Sequence, residues 1–127
     1  MAVSRETVLF YEPEGGAQGA RLKSILVRMG VRIKNVPAEA VGQTIGCLLG
    51  RKDFDARENP EAPALPEPML VLDGFTDKRL EILLREMKKS GVSVPYKAIV
   101  TETNLGWLFH QLYEELAAEH EAMQGAK

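Results

Sequence analysis

The feature that most constrains this chain is an alternation of short apolar runs and amphipathic helical patterns that occurs twice. Residues 7–11 and 69–72 are dominated by large apolar side chains, as expected of buried strands. The apolar positions that follow share one helical spacing: Leu22, Ile25, Leu26 and Met29 after the first run, and Leu80, Leu83, Leu84 and Met87 after the second. This pattern predicts an internal repeat of two strand-helix-strand-helix units, residues 7–50 and 69–123.

The order of these elements predicts the architecture. Strands that alternate with helices favour parallel pairing through right-handed crossovers. Pairing of the two units through their first strands gives an α/β fold, a single small doubly wound parallel sheet of four strands in the order 2-1-3-4. Two helices then cover each face, with the first and third helices on opposite faces. The fourth strand lies at an edge, which suits a strand containing Pro95 because proline cannot donate a ladder hydrogen bond.

The remaining segments complete one domain, residues 1–127. A weaker second helix is predicted over 37–49, and a long last helix from about 105 to 123. Residues 51–68 hold four prolines among charged residues, which predicts a connector between the two units. The chain is 45% hydrophobic over 127 residues, enough to bury a core of its own.

Charge and cysteine content exclude several classes of partner. Sixteen Lys and Arg against eighteen Asp and Glu give a net charge of −2, so no overall basic field attracts nucleic acid or an anionic membrane. No run approaches the roughly twenty apolar residues of a membrane-spanning helix. Cys47 is the single cysteine, which excludes an internal disulfide. We therefore expect a cytoplasmic protein without nucleic-acid or membrane partners.

A set of residues in the second unit resembles the signature of a small bacterial family catalogued as a domain of unknown function. The set comprises Lys97, Thr101, Asn104 and Trp107, and it precedes two acidic runs in the last helix, residues 112–116 and 119–121. The resemblance is clearest over residues 69 to 123. It implies a compact bacterial cytosolic protein and transfers no catalytic role.

The carboxyl ends of the strands are the expected place for a ligand. In an open α/β sheet, ligands bind at the switch point, here between the first and third strands. The tentative ligand-binding residues are Tyr11, Glu12, Asp73, Thr76, Thr101 and Asn104. Glu12, Glu14 and Asp73 offer carboxylate oxygens for a hard cation such as Mg²⁺, although we favour the explanation that they are solvated loop ends. Residues 15–19 are glycine-rich but lack both phosphate-loop patterns.

Other chemistry-bearing residues have structural explanations. Thr103 or Asn104 can cap the last helix. Lys97 on an edge strand protects against sheet-to-sheet aggregation, which we favour over a catalytic role. His110 and His120 lie ten residues apart on one helix, too far to share a metal ion, so the sequence predicts no metal motif.

Two classes of function remain. The sequence contains no nucleophile–base pair, metal motif or nucleotide fingerprint, which favours a non-enzymatic binding or regulatory module. The alternative is a small-molecule or divalent-cation site at the carboxyl ends of the strands, with enzymatic activity left open. No cofactor is assigned, and the ligand, the partner (protein or small molecule) and the oligomeric state stay open.

Overall fold

The computed structural model describes residues 6–13, 18–58 and 60–125. The strands are β1 (Thr7–Tyr11), β2 (Arg32–Asn35), β3 (Met69–Asp73) and β4 (Tyr96–Ile99). The helices are α1 (Gly19–Met29), α2 (Ile45–Leu49), α3 (Asp77–Lys89) and α4 (Phe109–Gly125), with 3-10 turns at Ala38–Ala40 and Asn104–Gly106. None of the helices in these ranges combines the length and apolar character that crossing a bilayer requires.

The four strands form one sheet in the order β2-β1-β3-β4, which confirms the predicted α/β fold and strand order. β2 is parallel to β1, and β4 is parallel to β3. The central pairing is antiparallel, with Leu9 opposite Val71. The sheet is therefore mixed, and the prediction that all four strands are parallel is wrong at this pairing.

The course of the connector explains the antiparallel centre. After α2 the chain is at the end of the sheet where β1 begins, because Arg51 bonds to Asp73 and Asp73 pairs with Thr7. The connector then runs back past the start of α2, where the Arg57 amide donates to Gln43 Oε1 at 2.8 Å. It reaches the carboxyl end of β1, and β3 enters from there with Met69 opposite Tyr11.

This arrangement places the helices differently from the sequence prediction. Because β1 and β3 run in opposite directions, two crossovers of the same hand fall on one face of the sheet. α1 and α3 share a core cluster with the inner residues Val8, Phe10, Leu70 and Leu72, so the expectation that they lie on opposite faces is wrong. α2 and α4 share the cluster on the other face with Leu9 and Val71. Each face still carries two helices.

The second and last helices begin later than predicted. Residues 41–43 form a turn, after which the Thr44 side chain accepts a hydrogen bond from the Cys47 amide at 3.1 Å and starts α2. Ile45 N–H donates to the Trp107 carbonyl and Phe109 N–H to the Gln43 carbonyl, both at 2.9 Å. These reciprocal bonds hold the starts of α2 and α4 side by side. Both halves thus have the same element order, while the internal sequence repeat stays a prediction.

Two tyrosines, on β1 and α4, form hydrogen bonds with the connector, and two glycines allow it to approach α2 closely. Tyr11 Oη donates to the Leu65 carbonyl at 2.7 Å, and the Glu67 amide donates to Tyr113 Oη at 3.0 Å. A Cβ at Gly46 would overlap the Phe54 ring, and one at Gly42 would overlap the backbone of residue 61. The connector lies so close to the chain before and within α2 that only glycine fits at these two positions.

Candidate functional site

The predicted ligand-binding residues lie at two opposite ends of the sheet. Tyr11 and Glu12 are at the carboxyl end of β1, whereas Asp73 pairs with Thr7 at the other end. Roughly 13 Å of strand separates them. The single switch-point crevice does not form, because it requires β1 and β3 to be parallel. Glu14 and residues 15–17 of the glycine-rich segment lie outside the described residues.

The candidate cation ligands do not converge. Glu12 and Asp73 are at opposite ends of the sheet. The Gln18 amide donates a hydrogen bond to Glu12 Oε2 at 3.3 Å. Arg51 Nη2 donates to Asp73 Oδ2 at 2.8 Å, so Asp73 is already neutralised by a guanidinium. Across the described ranges, no group of three or more His, Cys, Asp and Glu side chains is placed to hold an ion.

Thr76, Thr101 and Asn104 do come to the same end as Asp73, and each supports the local backbone. Thr76 Oγ1 accepts from the Arg79 amide at 3.2 Å and caps α3. Asn104 Oδ1 accepts from the Thr101 amide at 2.9 Å, while Thr101 Oγ1 accepts from the Asn104 amide at 3.1 Å. Asn104 Nδ2 also donates to the Ile99 carbonyl at 3.0 Å. The two residues therefore close the turn after β4 instead of capping α4.

A different feature has the character of a binding surface. The α3–β4 groove is a concavity of about 290 Å³ between helix α3 and the edge strand β4. It is lined by Leu72, Leu80, Leu84, Lys97, Ala98 and Ile99. Leu84 is 39% exposed and Ile99 49% exposed, although both are large apolar side chains. Adjacent apolar side chains at the surface are typical of a contact site.

The groove continues into an adjoining concavity of about 340 Å³ near the start of β4. Leu84 and Lys97 line both spaces, and the adjoining concavity adds Met87, Lys88, Gly91, Val92, Ser93 and Val94. Lys97 therefore stands at the boundary between the largely apolar α3–β4 groove and a concavity of mixed polarity. The only charged side chains among these described lining residues are Lys88 and Lys97, both cationic.

The Lys97 ammonium is half-buried at this boundary. Its Nζ donates to the Val94 carbonyl at 2.6 Å. Desolvation by burial lowers the pKa of Lys97 from its ordinary value of 10.5. A cation in this position gains from an anion brought in by a ligand, because the groove itself supplies little compensation for the lost water.

Changing Lys97 to methionine is expected to remove a pH-dependent part of the stability. Below the lowered pKa, the ammonium is charged in the folded and unfolded chains alike, so the wild-type protein bears the full cost of burying it. Between the lowered pKa and 10.5, the unfolded chain binds more protons, and the wild type gains stability relative to Lys97→Met as the pH rises. Urea unfolding of both proteins from neutral pH upward measures this. A difference that stays constant or moves the other way contradicts it.

The other edge of the sheet shows that the apolar groove is not a necessity of the fold. On the same face, a cleft of about 440 Å³ between α1 and β2 is lined by Phe10, Glu12, Lys23, Asn35, Val36 and Pro37. Asn35 pairs with Phe10 just as Ile99 pairs with Leu72. The first half has the polar Asn35 where the second half has Ile99, and Leu26, at the helical position that matches Leu84, is fully buried. The apolar lining is thus a property of the second half alone.

Sequence reasoning identified Lys97 and its edge position but missed the groove around it. Pro95 lies just before β4 instead of within it, and β4 is an edge strand as predicted. Leu80 and Leu84 share the predicted helical stripe with Leu83 and Met87, yet only the latter pair is buried in α3. The spacing offered no signal of this difference, because the same spacing in α1 places Leu22, Ile25 and Leu26 in the core.

The comparisons with known proteins concern the half that contains this groove. No curated protein and no solved structure gives a significant match to the chain. Residues 68–123, from just before β3 into α4, match the family model described as Domain of unknown function (DUF3783), which confirms the resemblance to a family of unknown function over this segment.

Proposed function

We propose that this chain is a non-enzymatic binding module of the bacterial cytosol, and that it binds an extended segment of a protein partner along β4 and the α3–β4 groove. The observation that carries the proposal is the combination of an apolar groove with an adjacent sheet edge. Addition of a peptide strand to such an edge uses backbone hydrogen bonds for affinity and side-chain pockets for selectivity.

The backbone of β4 supports this mode of binding. Val100 N–H donates to the Leu72 carbonyl at 2.9 Å, so even-numbered residues turn their amides toward β3. Lys97 and Ile99 consequently turn theirs outward, away from the sheet. Asn104 Nδ2 already occupies the Ile99 carbonyl, which sets the far limit of an added strand. The open positions lie directly beside the groove.

The exposed apolar side chains supply the second part of the argument. A partner that covers Leu84 and Ile99 removes their apolar area from water, which favours binding by roughly 25 cal/mol for each Å² buried. The equivalent cleft at the β2 edge offers Lys23 and Asn35 instead. Since the fold permits a polar lining there, the apolar lining of the α3–β4 groove favours a binding role.

Selection from a display library of random linear peptides tests the proposal. Peptides enriched on the wild-type protein are expected to bind at least tenfold more weakly to the double variant Leu84→Glu, Ile99→Glu, because the carboxylates would be desolvated on binding. Val27→Glu is the matched control, since Val27 is 69% exposed on α1, outside the groove. Its affinity should equal that of the wild type.

Two results would count against the proposal. One is a library that yields no enriched peptide on the folded wild-type protein. The other is a set of peptides that binds the double variant and the wild type equally, which would place their site elsewhere. Circular dichroism of each variant checks that the introduced charges leave the fold intact.

A further inference from the structure

We infer that the segment bound by the α3–β4 groove carries a carboxylate side chain flanked at alternate positions by apolar side chains, and that Lys97 receives the carboxylate. This inference rests on the proposed function and specifies the partner's chemistry. The partner is an acidic-apolar strand of another protein.

The first step concerns charge. Lys88 and Lys97 are the charged members of the described lining, and no carboxylate is among them. Lys97 Nζ donates one hydrogen bond, to the Val94 carbonyl, and an ammonium has three protons to donate. A carboxylate oxygen accepting from Nζ would form a charge-assisted hydrogen bond in a place where water is partly excluded.

The second step concerns spacing. Side chains on one face of an extended strand recur every second residue, about 6.6 Å apart. Lys97 lies between the α3–β4 groove on one side and the adjoining concavity, which includes Val92 and Val94, on the other. A strand that places its carboxylate at Lys97 therefore directs one side chain, two positions away, into the apolar α3–β4 groove. It directs the other, two positions away on the opposite side, toward Met87, Val92 and Val94 of the adjoining concavity. The predicted motif is apolar, any, acidic, any, apolar.

The third step distinguishes this occupant from two others. A fatty acid has a carboxylate and an apolar tail but no amides to pair with the outward-facing backbone of Lys97 and Ile99. A second copy of this chain, paired edge to edge through β4, would bring its own Lys97 and Lys88 to the same seam, where like charges oppose each other. An acidic-apolar peptide strand satisfies both the backbone and the lysines.

The test compares acidic peptides with their amides. The display library should yield the predicted motif, and replacing its central Glu by Gln should weaken binding to the wild type by about tenfold or more. Against Lys97→Met, the same replacement should change affinity little, whereas Lys97→Arg should retain a preference for the acid. Lys89→Met serves as the control, because Lys89 is on α3 outside the described lining and should preserve the full Glu-to-Gln effect.

The outcomes separate the two proposals. Two results overturn the carboxylate inference alone. One is a set of enriched peptides that require the intact groove but show no preference for an acidic centre. The other is a Glu-to-Gln effect on affinity that is the same for the wild type and Lys97→Met. Displacement of the peptide by decanoate at equal concentration would identify a fatty acid as the occupant and overturn the peptide assignment. Sedimentation experiments detect self-association. Self-association that the double variant Leu84→Glu, Ile99→Glu abolishes would overturn the peptide assignment and identify a second copy of this chain as the occupant.

Discussion

Replacing Phe109 with alanine is expected to lower the free energy of unfolding by about 3–5 kcal/mol. Phe109 has no exposed area and stands at the first residue of α4, where its ring lies 6.2 Å from that of Tyr11, centroid to centroid. Without the ring, folding buries less apolar area, so less stabilisation is gained. Loss of the ring also leaves a cavity between α4 and β1, which the neighbouring side chains fill only in part.

Urea unfolding monitored by circular dichroism measures this effect. Val27→Ala is the control, because Val27 is 69% exposed and should change the free energy of unfolding by less than about 0.5 kcal/mol. A loss below about 1 kcal/mol for Phe109→Ala would show that the cluster containing Tyr11 and Phe109 is not packed as the structure has it.

Replacing Arg79 with methionine is expected to cost about 2–3 kcal/mol, less than for a fully buried pair because the Arg79 side chain is 34% exposed. Arg79 Nε and Nη2 donate to the two carboxylate oxygens of Glu6 at 2.8 and 2.7 Å, and Nη2 also donates to the Met29 carbonyl at 2.6 Å. Glu6 is only 6% exposed, so the variant leaves a buried carboxylate without its guanidinium.

The same unfolding measurement with two further variants isolates the bidentate geometry. Arg79→Lys keeps the charge but cannot present two parallel donors, so it should recover only part of the loss. Arg85→Met removes an exposed arginine from the same helix and should have an effect within about 0.5 kcal/mol. An Arg79→Met variant as stable as Arg85→Met would show that the contact with Glu6 contributes little.

The apolar pattern was sufficient to predict the strands, their order and the α/β class. Strand direction was not predictable in the same way, because it depends on the end of the sheet to which the connector brings the chain before β3. The connector starts at the end where Arg51 bonds to Asp73 and returns to the end where Met69 pairs with Tyr11. Its length and its prolines were visible in the sequence, but the apolar pattern does not specify at which end of the sheet it finishes.

The candidate site was harder to predict than the fold. Leu84 and Ile99 are of the same residue types as the core residues, so the sequence does not distinguish them. They are exposed because no other element covers α3 where it lies beside the edge strand β4. Lys97 was recognisable as an edge lysine, yet its burial depends on the leucines of α3. The predicted surface of Tyr11, Glu12 and Asp73 failed to assemble for a single reason, the antiparallel pairing of β1 with β3.

The glycines beneath the connector limit how this protein can be stabilised by design. Replacing glycine with alanine in or near a helix is a common route to higher melting temperature, since it restricts the unfolded chain. At Gly42 and Gly46 that route is closed, because the new methyl group would displace residue 61 or the Phe54 ring. This segment must therefore keep its glycines, and with them its low helix propensity, because the connector packs against it. Thermostabilising substitutions have to be placed elsewhere.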